Sequence, residues 1–291
     1  MISVVIPVRF AESTLQATLA DVLAGPADEV VLAVSTTDST ATLVAELAAV
    51  EERVRAVPLA GPKSVPQLRL AGYRACRGEI IAFTEDHCRL APGWPAPLAA
   101  SLQDRSIGVA GGPVPNSRSG SMTDRAIYAS RYAVFAPPVQ AGPCAALPGT
   151  SIAYRRETLE RFLSSDAPGL WEFELNLSIA GGGLTQEMVP EAWASHGKPY
   201  RFLPYCALRM RHGRCFAGRR RAAGASVWTA LRTPLLPVLL SVRTLRALAA
   251  KSGWASSSAL LLPVAAIHSC WALGELIGYL AGSGRSCSET D

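Results

Sequence analysis

The stretch Gly78-Glu-Ile-Ile-Ala-Phe-Thr-Glu-Asp-His87 decides how this chain folds. Ile80 to Phe83 is apolar on both faces, the mark of a strand buried inside a sheet, and three polar side chains, Glu85, Asp86 and His87, stand at its end. Working outward toward the N-terminus, the same pattern recurs. Ser3 to Val8 reads as a strand, Leu15 to Leu23 as a helix and Glu29 to Val34 as a second strand. A helix that Asp38 or Ser39 could cap comes next, then a short strand at Arg53 to Val57, a helix at Val65 to Arg77 and the strand Glu79 to Phe83. Doubly apolar strands alternating with helices predict an α/β fold, a mainly parallel sheet flanked by helices. Ligands of such sheets bind beyond the carboxyl ends of the strands, where Glu85, Asp86 and His87 fall.

Toward the C-terminus the pattern loosens. Val109 to Gly112 predicts a strand and residues 111–121 a Gly/Pro/Ser-rich loop. A Tyr-bearing segment follows at Ile127 to Phe135, with a second loop at 136–149, a strand at Thr150 to Tyr154 and a helix at Arg156 to Leu163. Trp171 to Ala180 has helical spacing and stops at three glycines, Gly181 to Gly183. Beyond Tyr200 the chain turns basic and then apolar.

The 291 residues are 49% hydrophobic and only 18% charged, which excludes global disorder. The positive mean hydropathy of +0.21 calls for a large core or an apolar surface that meets a membrane. A net charge of +5 is too small for a dedicated nucleic-acid binder, so no nucleic-acid partner is expected. The charge is nevertheless local: Arg209, Arg211, Arg214, Arg219, Arg220 and Arg221 lie in one short stretch. Seven cysteines without CxxC spacing read as reduced thiols. The start MISVVIPV lacks the basic region of a secretory signal, so the catalytic part is expected on the cytoplasmic side. The loop Pro7-Val-Arg9-Phe-Ala-Glu12 has no glycine, which disfavours dinucleotide-binding oxidoreductases and nucleotidyltransferases.

Carboxylates and an imidazole at a rigid strand end suit a divalent cation carrying a diphosphate; a polar strand cap is the plainer alternative. Taken together in order, Ser3-Val-Val-Ile-Pro-Val-Arg9, Glu29-Val-Val-Leu-Ala-Val-Ser35 with Asp38, Gln67-Leu-Arg69 before Ala71-Gly72, and Gly78 to His87 resemble the motifs of family-2 glycosyltransferases of GT-A fold. The resemblance covers roughly residues 1–215. It implies a nucleotide-diphosphate sugar donor, a UDP-sugar first, and a divalent metal, Mn or Mg. By the same resemblance Pro7, Arg9, Glu12, Ser35, Lys63, Arg69, Glu85, Asp86 and Arg214 would contact the donor, and Asp86, His87 and His196 the metal. Ser35 replaces the family's usual Asp, and Glu85-Asp86-His87 replaces Asp-x-Asp. Leu147-Pro-Gly-Thr-Ser-Ile-Ala-Tyr-Arg-Arg156 is similar to the strand that floors the family's acceptor pocket, and Trp171-Glu172-Phe-Glu174-Leu175 occupies the place of its catalytic acidic motif, which makes Glu172 the expected general base.

Residues 216–291 are expected to form a basic hinge and an apolar helical tail, following a catalytic domain at 1–215. Val227 to Ala250 is Leu-rich but broken by Arg232, Pro234, Pro237, Arg243 and Arg246, which suits an interfacial amphipathic helix. Ser258 to Leu273 is more apolar, but contains Pro263 and His268. The expected location is the cell membrane, peripherally or shallowly inserted, with a lipid or glycan acceptor; a soluble helical subdomain is the alternative for the tail. A catalytically silent sugar-nucleotide-binding scaffold is the alternative for the whole chain.

Overall fold

The computed structural model describes residues 1–288 and divides the chain into two compact units. The first comprises Met1–Ser117 and Pro137–Lys198, the second Arg118–Ala136 and Pro199–Asp291. The first unit begins with β1 (Ile2–Val8), α1 (Leu15–Leu23), β2 (Glu29–Ser35), α2 (Ala41–Val50), β3 (Val54–Leu59), α3 (Val65–Ala75) and β4 (Ile80–Thr84). It continues through β5 (Cys88–Leu90), α4 (Ala96–Ser101) and β6 (Ile107–Gly111). After α5 (Met122–Tyr132), which belongs to the second unit, come β7 (Gly142–Pro143), β8 (Ser151–Arg155), α6 (Arg156–Phe162), α7 (Glu172–Gly181), β9 (Thr185–Met188) and β10 (Ala194–His196).

Eight strands form one sheet in the order β3-β2-β1-β4-β8-β6-β9-β7, and β10 pairs with β5 in a separate two-stranded ribbon. Strands β3, β2, β1 and β4 run parallel, and β2, β1 and β4 are buried on both faces, as apolar strands of a parallel sheet should be. β8 is antiparallel to both its neighbours, β4 and β6. The sequence expectation of a mainly parallel α/β sheet with a C-terminal helical region describes this architecture.

Two packing features position the site. At the amino ends of the strands, buried Glu29 accepts hydrogen bonds from Ser3 Oγ (2.6 Å), the Arg77 N–H (2.9 Å) and Arg55 Nη2 (2.9 Å), and Ser3 Oγ accepts from the Gly78 N–H (2.8 Å). Burial opposes the Glu29 charge, but these donors outweigh it and lower its carboxyl below the ordinary value. Over the sheet, a Cβ on Gly72 of α3 would run into Val5 and meet Ala33, so this glycine lets α3 sit directly on β1 and β2. One turn earlier, α3 carries Arg69.

The second unit is helical: α5, α8 (Phe202–Ala222), a 3-10 segment Val227–Leu235, α9 (Leu236–Ser252), α10 (Trp254–Ser258) and α11 (Leu261–Ala281). Its core joins Ile127 of α5 to Tyr205, Leu208, Leu245, Val264 and Ile267. α8 and α11 approach with their backbones almost in contact, because a Cβ at Gly213 would strike the Trp271 carbonyl, one at Gly274 the Met210 carbonyl and one at Gly278 the Arg214 carbonyl. The expected boundary at residue 215 thus lies inside α8, and residues 118–136 join the helical unit. The same close packing brings the segment after α11 back beside α8, where Cys215 and Cys287 form a disulfide. This corrects the reading of all seven cysteines as thiols, which their separation of 72 residues along the chain concealed.

Candidate active site

Buried Arg69 of α3 lies at the centre of the first unit's polar cluster, with its side chain only 4% exposed. Its Nη1 donates to Glu172 Oε2, at the first turn of α7. Its Nη2 donates to Glu85 Oε1 (3.4 Å) and to the Gly149 carbonyl (3.2 Å). Desolvation works against the guanidinium, but Glu172 and Glu85 more than restore its charge, and its pKa is raised. One cation therefore joins the expected general base to the acidic cluster after β4. Gly149 must lack a side chain here, since a Cβ would abut Glu172 Oε1 (2.5 Å) and Arg69 Nη2 (3.1 Å). Buried Tyr154 donates to Asn176 Oδ1 of α7 (2.8 Å), and burial, helped by Glu172, pushes its phenol well above the ordinary value.

A second cluster adjoins the first through Glu85. β10 pairs antiparallel with β5 in a register that sets His196 opposite Cys88, next to His87. The two imidazoles meet edge to face with Nε2 atoms 2.9 Å apart, and Glu85 Oε2 is 3.2 Å from His87 Nε2. One donor atom from each of Glu85, His87 and His196 lies within 4.8 Å of the other two. Asp86 is placed differently: Oδ1 is 2.6 Å from His87 Nδ1, and Oδ2 accepts the Arg9 N–H (2.6 Å). It thus orients the imidazole and ties it to the loop after β1, while Glu85 completes the donor set. Burial disfavours His87's charge, but Asp86 and Glu85 prevail and raise its pKa. Two nitrogens and one carboxylate converging on one point, with one imidazole held from behind, fit a divalent transition metal.

Of the other expected donor contacts, Pro7, Arg9, Glu12 and Ser35 lie at the sheet's carboxyl edge. Pro7 is buried in β1 in register with Ala33 of β2. Phe10, next to Arg9, has a left-handed backbone (φ 53°), and its N–H donates to both oxygens of Asp38 (3.1 and 3.2 Å). Asp38 also accepts from the Thr40 N–H (2.9 Å), which makes this acid a brace for two loops. Glu12 accepts from Ser39 Oγ, and Ser35 Oγ donates to the Gly61 carbonyl (2.8 Å). Lys63 stands apart, lining a cavity of about 510 Å³ with Gln67 and Arg74. Arg214 lies on α8 of the second unit, where its Nε donates to the Gly282 carbonyl (3.1 Å).

The family model for glycosyl transferase family 2 matches residues 3–163, more than half of the chain. The chain belongs to glycosyl transferase family 2. No curated protein matches this glycosyltransferase in sequence. Among solved structures it is similar to a mannosyltransferase from Pyrobaculum calidifontis, in complex with GDP-Man and Mn2+ (19% identity, 96% of this chain and 87% of that one, TM-score 0.59). It is also similar to GalNAc-T7 with UDP, GalNAc and Mn2+ (19% identity, 69% and 44%, TM-score 0.54) and to residues 1–349 of S. aureus TarS (13% identity, 90% and 70%, TM-score 0.51). These likenesses give this glycosyltransferase its GT-A fold.

Two outcomes follow for the site. Mn2+ at 100 times its dissociation constant should stabilise the metal-free protein by about 2.7 kcal/mol in thermal unfolding, and His196→Ala should remove most of that gain. An equal Mn2+ response in the variant would exclude the Glu85, His87 and His196 set. Gly149→Ala would press a Cβ against Glu172 Oε1 and toward Arg69 Nη2, so it should lower kcat at least tenfold through displacement of the carboxylate, with some loss in melting temperature. Unchanged kcat would show that the position of this carboxylate does not matter.

Proposed function

We propose that the protein is an inverting glycosyltransferase in which Glu172 deprotonates the acceptor. The observation that carries this reading is the Arg69 bridge, which fixes Glu172 beside the cluster suited to the donor's diphosphate. In the reaction, Glu172 takes the proton of an acceptor hydroxyl as its oxygen bonds to the anomeric carbon. The bond from that carbon to the diphosphate oxygen breaks on the opposite face, and the nucleoside diphosphate leaves with the electron pair. Arg69 holds Glu172 in place, and Gly149 leaves room for its oxygen. A divalent cation, which Glu85, His87 and His196 would hold, supplies positive charge to the leaving diphosphate when bound. We take Mn2+ over Mg2+ because two of the three donors are imidazoles, and Mg2+ favours oxygen.

The donor is a nucleotide-diphosphate sugar, with a UDP-sugar favoured. Pro7, Arg9, Glu12 and Ser35 border the nucleotide at the carboxyl edge of β1 and β2, where such sheets bind ligands. The P. calidifontis and GalNAc-T7 structures, which carry GDP-Man and UDP, support a donor of this class. The acceptor is a lipid or lipid-linked sugar at a membrane surface, with the catalytic unit on the cytoplasmic face; the apolar helices of residues 227–252 and 261–281 support the membrane part of this reading. Replacement of the usual Asp by Ser35 favours a second reading, a silent sugar-nucleotide binder. Glu172→Gln separates the two. The enzyme reading predicts that donor binding by calorimetry persists while turnover falls about 10²- to 10⁴-fold. Absence of donor hydrolysis and transfer by the wild-type protein, across a donor panel that it binds, would leave the silent binder.

A further inference from the structure

The helical unit holds fifteen of the chain's 28 basic residues but only four of its 23 acidic ones, so the modest overall charge conceals a strongly cationic part. On that unit, the 3-10 segment Val227–Leu235 and α9 divide into two faces. Ala230, Thr233, Ser241, Thr244 and Leu245 are buried. Trp228, Leu231, Leu235, Val238, Leu239 and Val242 recur at three- and four-residue spacing on the other face, and each is between 41% and 73% exposed. Exposed Arg232, Arg243 and Arg246 accompany this stripe. An apolar row of this length left in water marks an interaction surface, and its flanking guanidiniums select a partner that is greasy and negative.

From this arrangement we infer that the Trp228–Val242 face docks in the plane of an anionic phospholipid bilayer, with its side chains in the acyl boundary and its arginines among the phosphates. The inference rests on the membrane part of the proposed function and makes it specific: the chain lies on the surface and does not cross it. α11 is the most apolar helix, but its glycine-lined side is packed against α8, which carries six arginines. A helix with that partner cannot be surrounded by lipid. The 3-10 segment and α9 together carry Arg232, Arg243, Arg246 and Lys251, each costly at the bilayer centre and favourable at an anionic surface. An exposed apolar stripe flanked by arginines, on a segment whose other face is packed into the helical unit, suits seating in the plane of the bilayer.

The test is co-sedimentation of the full chain with vesicles of phosphatidylcholine alone and of three parts phosphatidylcholine to one part phosphatidylglycerol. The wild type should bind the mixed vesicles at least tenfold more tightly than the neutral ones, with the preference falling as salt rises. The double variant Leu235→Glu, Val238→Glu should lose at least tenfold in binding while keeping its melting temperature and its donor hydrolysis. Leu262→Glu, at a still more exposed leucine outside the stripe, should bind as the wild type does. Failure to bind mixed vesicles, equal binding by the double variant, or a dimer in sedimentation velocity that the double variant dissociates would each overturn the inference. Because donor hydrolysis is read separately, a protein that hydrolyses donor but ignores vesicles refutes the docking surface and the membrane part of the reading and leaves its catalytic part standing; one that binds vesicles but is inert refutes the catalytic part and leaves the docking surface standing.

Discussion

Everything chemical in the first unit depends on one buried cation. Arg69 has almost no contact with water, and a guanidinium in that position is tolerable only with anionic partners. It takes two, Glu172 and Glu85, from segments 103 and 16 residues away. The α3 helix that carries it is held on the sheet by the absence of a side chain at Gly72, and the opening between its guanidinium and Glu172 by the absence of one at Gly149. The acid that would accept a proton and the acid that would help hold a metal are thus two ends of one ion network. Moving either disturbs the other.

The network also explains the division of labour within Glu85-Asp86-His87. Three consecutive polar residues at a strand end cannot all point the same way. Glu85 faces Arg69 and the two imidazoles; Asp86 turns to the β1 loop and holds His87 by Nδ1. His196 arrives by a different route, through the β5–β10 ribbon. The triplet and His196 together thereby bring one carboxylate and two imidazoles to one point, and the donor chemistry shifts toward nitrogen.

How much of this is legible in the residues themselves depends on the range of the interaction. The buried strands β1, β2 and β4 declare themselves because their apolar runs are local, and Leu15–Leu23 is recovered to the residue. Glu172 is legible as an acid at a helix start within a resembling motif. The Arg69–Glu172 pair is not, because nothing local distinguishes a buried arginine from a solvated one. The resemblance implies a metal role for Asp86; in the structure its two oxygens meet His87 Nδ1 and the Arg9 N–H, a side-chain direction that the sequence does not encode. α8 shows no apolar stripe in its sequence, since much of its contact with α11 is close backbone approach at Gly213, Gly274 and Gly278, and the disulfide that this approach brings together is hidden for the same reason.

Arg69 and Glu172 act as one unit, and a double-mutant cycle on unfolding free energy tests this most directly. Arg69→Met, Glu172→Gln and the combined variant should show a coupling of at least about 1.5 kcal/mol, because removing the Glu172 charge alone leaves the buried cation short of a partner. Additivity within about 0.5 kcal/mol would mean that the two side chains are independent and would contradict the account.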